Sequence, residues 1–184
     1  MLQVVKTFFD KKIKLIKIKN FKDKRGYFAE TYNKKNYFKI GIKDNFVQDN
    51  QSLSITKGTI RGLHFQSPQF HQAKLVSVFR GSIQDIIVDL RKNSITYGKY
   101  ISIIMKENDF KQIYIPSGFA HGFCALKSNT IINYKASNFY SKNHEHSLLW
   151  NDKKLSINWK ISKNPIISKK DAKGIKFHDF KSPF

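Results

Sequence analysis

Three short motifs contain side chains that could carry out proton transfer. His64 lies in a glycine-containing motif, GTIRGLHFQ, at residues 58–66, and His121 follows a turn in IPSGFAHGF at residues 115–123. Lys74 lies in a third motif, QAKLV, among apolar neighbours. Histidine changes its charge near neutral pH, so either imidazole could act as a general acid or base. Taken singly, each residue also has a structural explanation, because hydrogen-bonded core histidines and solvated lysines are both common.

The spacing of the two histidines also tests for a metal site. The frame of their motifs is similar to that of cupin proteins, whose metal-binding members supply His-x-His, a Glu and a further His. Such sites need about three or four ligands. In this sequence the position two after His64 is Gln66, and no Glu occurs from there to Phe79. The sequence therefore predicts a protein that uses no metal and no other cofactor.

The elements that must position these residues are short apolar runs, which are typical of β-strands. Lysines alternate with apolar residues over Lys12–Lys19, which predicts a strand at the edge of a sheet. Helices are expected only at Lys34–Gly41 and around Lys169–Lys173. The remaining predicted strands are Leu75–Phe79, Ile83–Leu90, Tyr100–Met105, Gln112–Ile115, Gly122–Leu126 and Thr130–Ser137.

This series of strands predicts an all-β fold. With 16 Phe and 8 Tyr to bury, two facing sheets fit better than one open sheet, so we expect a jelly roll with a few short helices. The length of 184 residues matches one domain over residues 1–184. A single cysteine, Cys124, excludes a disulfide framework. No run resembles a signal peptide or membrane span, so we expect a cytoplasmic protein.

The charge of the chain raises the question of a polyanionic partner. The formal net charge is +21, from 34 basic and 13 acidic residues. Nucleic-acid binding is one interpretation of such a field. However, only Arg25, Arg61, Arg80 and Arg91 are arginines, and a dedicated binder more often favours the planar guanidinium. We therefore attribute the lysines to compositional bias and expect neither nucleic-acid nor membrane binding.

Together, the motifs resemble one family in order and spacing, the dTDP-4-dehydrorhamnose 3,5-epimerases. The resemblance covers nearly the whole chain and implies a cupin-type jelly roll, a homodimer, and a dTDP-linked 4-keto-6-deoxy sugar as substrate. Besides the three motifs above, it rests on Phe21–Glu30, Phe46–Asn50, Val88–Lys92, Asn133–Lys135, Leu149–Asp152 and Ile167–Asp171.

The resemblance also implies a role for individual residues. His64 matches the base that removes the proton beside the sugar ketone, with Asp171 paired to it. Tyr134 matches the acid that returns a proton from the opposite face, and Lys74 matches the group that stabilises the enolate. The residues that match substrate contacts are Arg25, Glu30, Gln48, Asn50, Arg61, His121, Tyr140, Glu145 and Lys170.

Elementary chemistry agrees with these residue roles. Inverting a carbon next to a carbonyl requires a base on one face, an acid on the other, and a group that stabilises the oxyanion. The predicted function is the inversion of C3 and C5 of dTDP-4-keto-6-deoxy-D-glucose to dTDP-4-keto-L-rhamnose, in dTDP-L-rhamnose biosynthesis. Three alternatives stay open from the sequence. Two keep the fold, an epimerase that inverts a single centre and a 3,4-ketoisomerase acting on a related nucleotide-linked sugar. The third is a non-enzymatic basic module that binds nucleic acid.

Overall fold

Two β-sheets form the body of the molecule. The structure is a computed structural model and describes residues 2–161 and 164–184. The first sheet is antiparallel and has the spatial order β1 (Gln3–Phe8), β2 (Ile13–Lys17), β10 (Lys111–Ile115), β7 (Lys74–Arg80), β12 (Thr130–Ala136) and β5 (Gln48–Ser54). The second has the order β13 (Glu145–Ser147), β6 (Thr59–Gln66), β11 (Phe119–Ala125), β8 (Ser82–Asp89) and β9 (Tyr100–Lys106), with the short β14 (Ile166–Ile167) parallel to β6.

The smaller elements are a hairpin, one α-helix and two short 3-10 helices. The hairpin consists of β3 (Asn20–Asp23) and β4 (Gly26–Ala29), and α1 spans Lys34–Lys39. The 3-10 helices span Lys142–His144 and Asp171–Lys173. None of the helices in the described residues is long and apolar enough to cross a membrane.

The alternation of side chains along each strand decides which residues face the space between the sheets. On β8, Ile83 and Ile87 enter the core between the sheets, whereas Ile86 and Val88 pack on the opposite face. On β12 of the other sheet, Ile132 enters the same inner core. Odd-numbered positions of β8 and even-numbered positions of β12 therefore point towards one another.

Each sheet also buries its outer face against another part of the chain. The second sheet is covered by aromatic side chains of the C-terminal region, including Trp159 and Phe177. The first sheet is covered by α1, whose Tyr37 is fully buried against Leu75 and Ile16. This double coverage explains how the chain accommodates so many aromatic residues.

The predicted all-β jelly roll is confirmed, and the strands predicted from apolar runs all have counterparts. The short helices are also found where the sequence predicted them, as α1 and the 3-10 helix at Asp171–Lys173. The prediction of an edge strand at Lys12–Lys19 is wrong. In the structure β2 pairs with both β1 and β10, because Phe9, Asp10 and Lys11 take up positive φ angles and turn the chain back on itself. The edge strand on this side of the sheet is β1.

Candidate active site

A cavity of about 490 Å³ opens between the two sheets. Both sheets contribute to its walls, together with β14 and the 3-10 helix that follows it. The alternation described above brings polar residues to the same end of the inner space from strands that are distant in the sequence. Of the residues predicted for the site, those that line this cavity are Arg61, His64, Lys74, His121, Tyr134, Glu145, Lys170 and Asp171.

His64 and Asp171 form a hydrogen-bonded pair on one wall. The His64 Nε2 lies 2.6 Å from the Asp171 Oδ1, and the backbone N–H of Gly62 donates to Oδ2 at 3.3 Å. Asp171 is itself held by its backbone N–H, which donates to the Ser168 hydroxyl. Burial alone would raise the pKa of Asp171, but hydrogen bonding and the charge of His64 bring it below the ordinary value. The buried carboxylate thus fixes the imidazole through Nε2, and Nδ1 is the other ring nitrogen that can accept a proton.

Tyr134 and Lys74 come from the opposite sheet. The Lys74 Nζ lies 6.0 Å from the centre of the Tyr134 ring, on the neighbouring strand. Burial raises the pKa of the Tyr134 phenol, and the negative charge of Glu145 raises it further, so this group is protonated at neutral pH. Burial lowers the pKa of Lys74 to about 8. The wall that faces His64 therefore carries a proton donor and a cation.

A second histidine–carboxylate pair lies beside the first. His121 is the direct cross-strand partner of His64, and its Nε2 lies 2.7 Å from Asp85 Oδ1. Both His121 and Asp85 are buried. Asp85 was not among the residues predicted from the sequence. The sequence does mark Asp85 as unusual, because it is a carboxylate between the inward-facing Ile83 and Ile87 of β8, where an apolar residue is expected.

Three further predicted residues are connected to the cavity by hydrogen bonds. Glu145 forms an ion pair with Lys170 and accepts a hydrogen bond of 2.8 Å from the Tyr140 hydroxyl. The Tyr140 N–H donates to the Gln48 side chain, which in turn donates to the Asn50 Oδ1 at 2.8 Å. Desolvation would raise the pKa of Glu145, but its bonds with Lys170 and Tyr140 lower it overall. This rim is polar and already ordered.

The two predicted arginines occupy different places. Arg61 lines the cavity, where its guanidinium donates to the Leu53 carbonyl at 2.8 Å. Arg25 lies in the turn of the β3–β4 hairpin, paired with Asp23 and almost fully exposed. Glu30 follows that hairpin and accepts hydrogen bonds from two asparagine side chains near α1. Within one chain, the structure does not bring Arg25 or Glu30 to the cavity.

The side chains that could hold a metal ion do not cluster in the described part of the chain. There, no three His, Cys, Asp or Glu side chains gather in a ligand-like group. Gln66, which stands where metal-binding cupins place a ligand, is buried and engaged in hydrogen bonds. Its amide donates to the carbonyls of Phe70 and Phe139, and its carbonyl accepts from the Ser141 N–H at 2.7 Å.

Comparisons with known proteins agree with this arrangement. The family model for dTDP-4-dehydrorhamnose 3,5-epimerase matches residues 11–179. The enzyme of that name from Shigella flexneri is 46% identical over 162 residues, which cover 88% of each chain. The crystal structure of the Bacillus anthracis enzyme, with TDP and PPi bound, is 44% identical and has a TM-score of 0.93, covering 96% of this chain and 100% of that one.

A second solved structure adds a sugar ligand to the comparison. The Legionella pneumophila enzyme, in complex with dTDP-4-keto-L-rhamnose, is 37% identical with a TM-score of 0.92. The match covers 97% of this chain and 94% of that chain. Identity at this level over nearly the full length extends well beyond the motifs of the site. This chain belongs to the dTDP-4-dehydrorhamnose 3,5-epimerase family.

Proposed function

We propose that this epimerase inverts C3 and C5 of dTDP-4-keto-6-deoxy-D-glucose and forms dTDP-4-keto-L-rhamnose. The observation that carries the proposal is the placement of His64 and Tyr134 on opposite walls of one cavity, with Lys74 beside Tyr134. Inversion next to a ketone needs two proton-transfer groups on opposite faces of the sugar and a cation at the ketone oxygen. These three side chains supply those groups.

The first step is the removal of a carbon-bound proton by His64. Its Nε2 is held by Asp171, so Nδ1 accepts the proton from C5 or C3, and the electron pair moves onto the C4 oxygen as an enolate. The imidazolium that forms is stabilised by the buried carboxylate. Lys74 donates hydrogen bonds to the enolate oxygen, where a charge-assisted bond in a partly desolvated site is strongest.

The second step is the return of a proton to the opposite face. The Tyr134 hydroxyl gives its proton to the carbon, the ketone re-forms, and the configuration is inverted. His64 then loses its proton to solvent and Tyr134 regains one, which restores both groups. The same pair serves the other carbon when the sugar is presented again, because C3 and C5 both neighbour the C4 ketone. Arg61 supplies a guanidinium that suits the diphosphate.

The test is the reaction in heavy water, followed by NMR of the product. Each inversion exchanges a carbon-bound hydrogen for one from solvent, so we expect deuterium at both C3 and C5. In Tyr134→Phe, His64 can still form the enolate, so exchange should continue while inversion becomes slow. Tyr97→Phe is the matched control, because Tyr97 packs on the outer face of the second sheet.

The outcomes separate the proposed function from its alternatives. Label at one carbon only would identify a single-centre epimerase, and movement of the keto group to C3 would identify a ketoisomerase. Full inversion at both carbons by Tyr134→Phe would show that Tyr134 is not the acid.

We also propose that the enzyme works as a homodimer in the cytoplasm. The β3–β4 hairpin carries Phe21, Tyr27 and Phe28 with 54%, 58% and 69% of their surfaces exposed, an apolar surface that a second copy could cover. Its Arg25 lies away from the cavity of its own chain. A free buried thiol at Cys124 is compatible with a reducing compartment. Sedimentation should find a dimer for the unaltered enzyme and a monomer for Phe28→Asp.

A further inference from the structure

Asp85 is a buried carboxylate that the proposed mechanism does not use. It lies in the middle of β8, where every residue is buried, and no part of its surface is exposed. Its neighbours on the same face of the strand are Ile83 and Ile87. One carboxylate oxygen, Oδ1, contacts His121 Nε2 at 2.7 Å. A charged residue at such a position requires a reason beyond packing.

The other oxygen makes the burial more costly. Oδ2 of Asp85 has no hydrogen-bond partner among the described residues. A buried polar atom without a partner loses its hydrogen bonds to water and gains none in return, and the penalty is larger when the atom is charged. An aliphatic side chain would fill the same position without that cost. The carboxylate therefore opposes stability, as residues retained for function often do.

The charge of Asp85 acts on Lys74 from the opposite sheet. Burial lowers the pKa of Lys74, and the negative charges of Glu145 and Asp85 raise it, with a result of about 8. Asp85 therefore favours the ammonium form of the group that faces the enolate. The other titratable or charged side chains around the same cavity are His64, Arg61, His121, Tyr134, Lys170 and Asp171.

We propose that Asp85 is a positioning residue for the oxyanion site, holding His121 through Nε2 and facing Lys74 with its negative charge. This inference rests on the proposed function. His121 then offers its Nδ1 to the sugar from the second sheet and Lys74 offers its ammonium from the first, and both groups bind the C4 oxygen. Asp85 itself never touches the sugar, because it lies behind His121 in the wall of the cavity. The cavity thus contains two histidine–carboxylate pairs with different tasks, proton removal at His64–Asp171 and oxygen binding at His121–Asp85.

The experiment compares Asp85→Asn with the unaltered enzyme over pH 6 to 9.5. The amide keeps the shape of the side chain and removes its charge. We expect kcat at pH 7 to fall at least about tenfold with KM changed by less than about threefold, since the loss concerns the transition state. The basic limb of the kcat profile should move to lower pH, because Lys74 loses a charge that favours its ammonium. NMR titration of the Lys74 side chain without substrate should show the same direction.

Two variants control for a purely structural effect. Asp89→Asn removes an equally buried carboxylate from the same strand, but Asp89 pairs with Arg91 and does not line the cavity. It should leave the basic limb where it is. His121→Asn tests the arrangement from the other end, and is decisive if Asp85→Asn does not fold. It removes the imidazole and keeps the carboxylate, so kcat should fall while the Lys74 titration does not move below that of the unaltered enzyme.

The inference is overturned if Asp85→Asn folds with an unchanged basic limb and an unchanged Lys74 titration. It is equally overturned if His121→Asn shifts the Lys74 titration down, since the charge of Asp85 would then not be what supports the ammonium. Absence of epimerisation by the unaltered enzyme would instead remove the proposed function, and this inference with it. The substrate-free titration distinguishes the two failures, because it reports the electrostatics of the cavity without any turnover.

Discussion

Lys74→Met should stabilise the folded protein while it strongly lowers turnover. Burial lowers the pKa of Lys74 from 10.5 to about 8 in the folded state. A lysine with a lowered pKa opposes folding at every pH below its ordinary value of 10.5, because the unfolded chain holds the proton more tightly. At about 1.4 kcal/mol per pKa unit, the cost at pH 7 is about 3 kcal/mol. Methionine has a similar unbranched shape and no charge to desolvate.

The effect on the melting temperature follows from that energy. For a domain of this size, about 3 kcal/mol raises Tm by roughly 6–12 °C at pH 7. The pH dependence of this stabilisation follows from the difference between the folded and unfolded pKa of Lys74. The cost is fully present below the folded pKa and is lost as pH rises through about 8 towards 10.5. At pH 9.5 the gain should therefore fall to about 1.5 kcal/mol.

Thermal unfolding of both proteins at pH 7 and pH 9.5 measures this difference directly. The matched control is Lys106→Met, at the exposed end of β9, which should change stability by less than about 0.5 kcal/mol. Turnover by Lys74→Met should fall by about two to three orders of magnitude, since an oxyanion-binding group is lost. A Tm at pH 7 no higher than that of the unaltered enzyme would refute the reasoning. So would a gain in Tm that is the same at both pH values.

Three further predictions concern the rest of the cavity. His64→Ala should lower turnover at least about 100-fold in a product-formation assay, and Asp171→Asn should lower it by less, because the base remains but loses its orienting partner; near-normal activity of His64→Ala would contradict its role. Extensive chelation should leave initial rates unchanged, because Gln66 is occupied by backbone partners; recovery by one added divalent ion would contradict this. Arg61→Ala should raise KM more than it lowers kcat, whereas Arg80→Ala, outside the cavity, should change neither.

Strand alternation made much of the inner space predictable from the sequence. The apolar runs predicted the approximate bounds of several strands, and Lys74 lies where one of them begins. No predicted strand covered the His64 motif, which lies on β6. The apolar runs do not predict which strands pair with which. His64 faces His121 only because β6 pairs with β11, and these strands are far apart in the sequence. Pairing between distant segments is decided by tertiary packing, which local patterns do not record.

The N-terminal region shows how a local pattern can mislead. Lysines alternate with apolar residues over Lys12–Lys19, as they do in an exposed edge strand. The residues before this segment form β1, which pairs with it. In the structure, Ile13 and Ile16 are fully buried while the lysines between and after them remain more exposed. Ile13 packs in the core between the sheets and Ile16 packs against α1, so both faces of β2 are covered, and β1 pairs along its free side. Amphipathic patterning defines the faces of a strand and says little about its edges.

Asp85 was missed for a related reason. Motifs draw attention to histidines beside glycines, whereas Asp85 is enclosed in a run of buried aliphatic residues. Its signal was the mismatch between a carboxylate and the inward-facing positions of β8, which becomes visible only when the register is known. A charged residue at a core position is either paired or functional. Applying that test to each predicted strand would have identified it.

The cationic side chains in and around the cavity differ in whether a carboxylate neutralises them. Lys170 is paired with Glu145, and Arg25 and Arg91 are each paired with an aspartate on their own turns. Among the described ion pairs, none involves Arg61, whose guanidinium is held by a carbonyl instead. Because a carbonyl does not neutralise a guanidinium, Arg61 retains its charge for an anionic ligand. We therefore expect selectivity for a diphosphate to come from this unpaired guanidinium, because the many surface lysines contribute only a diffuse field.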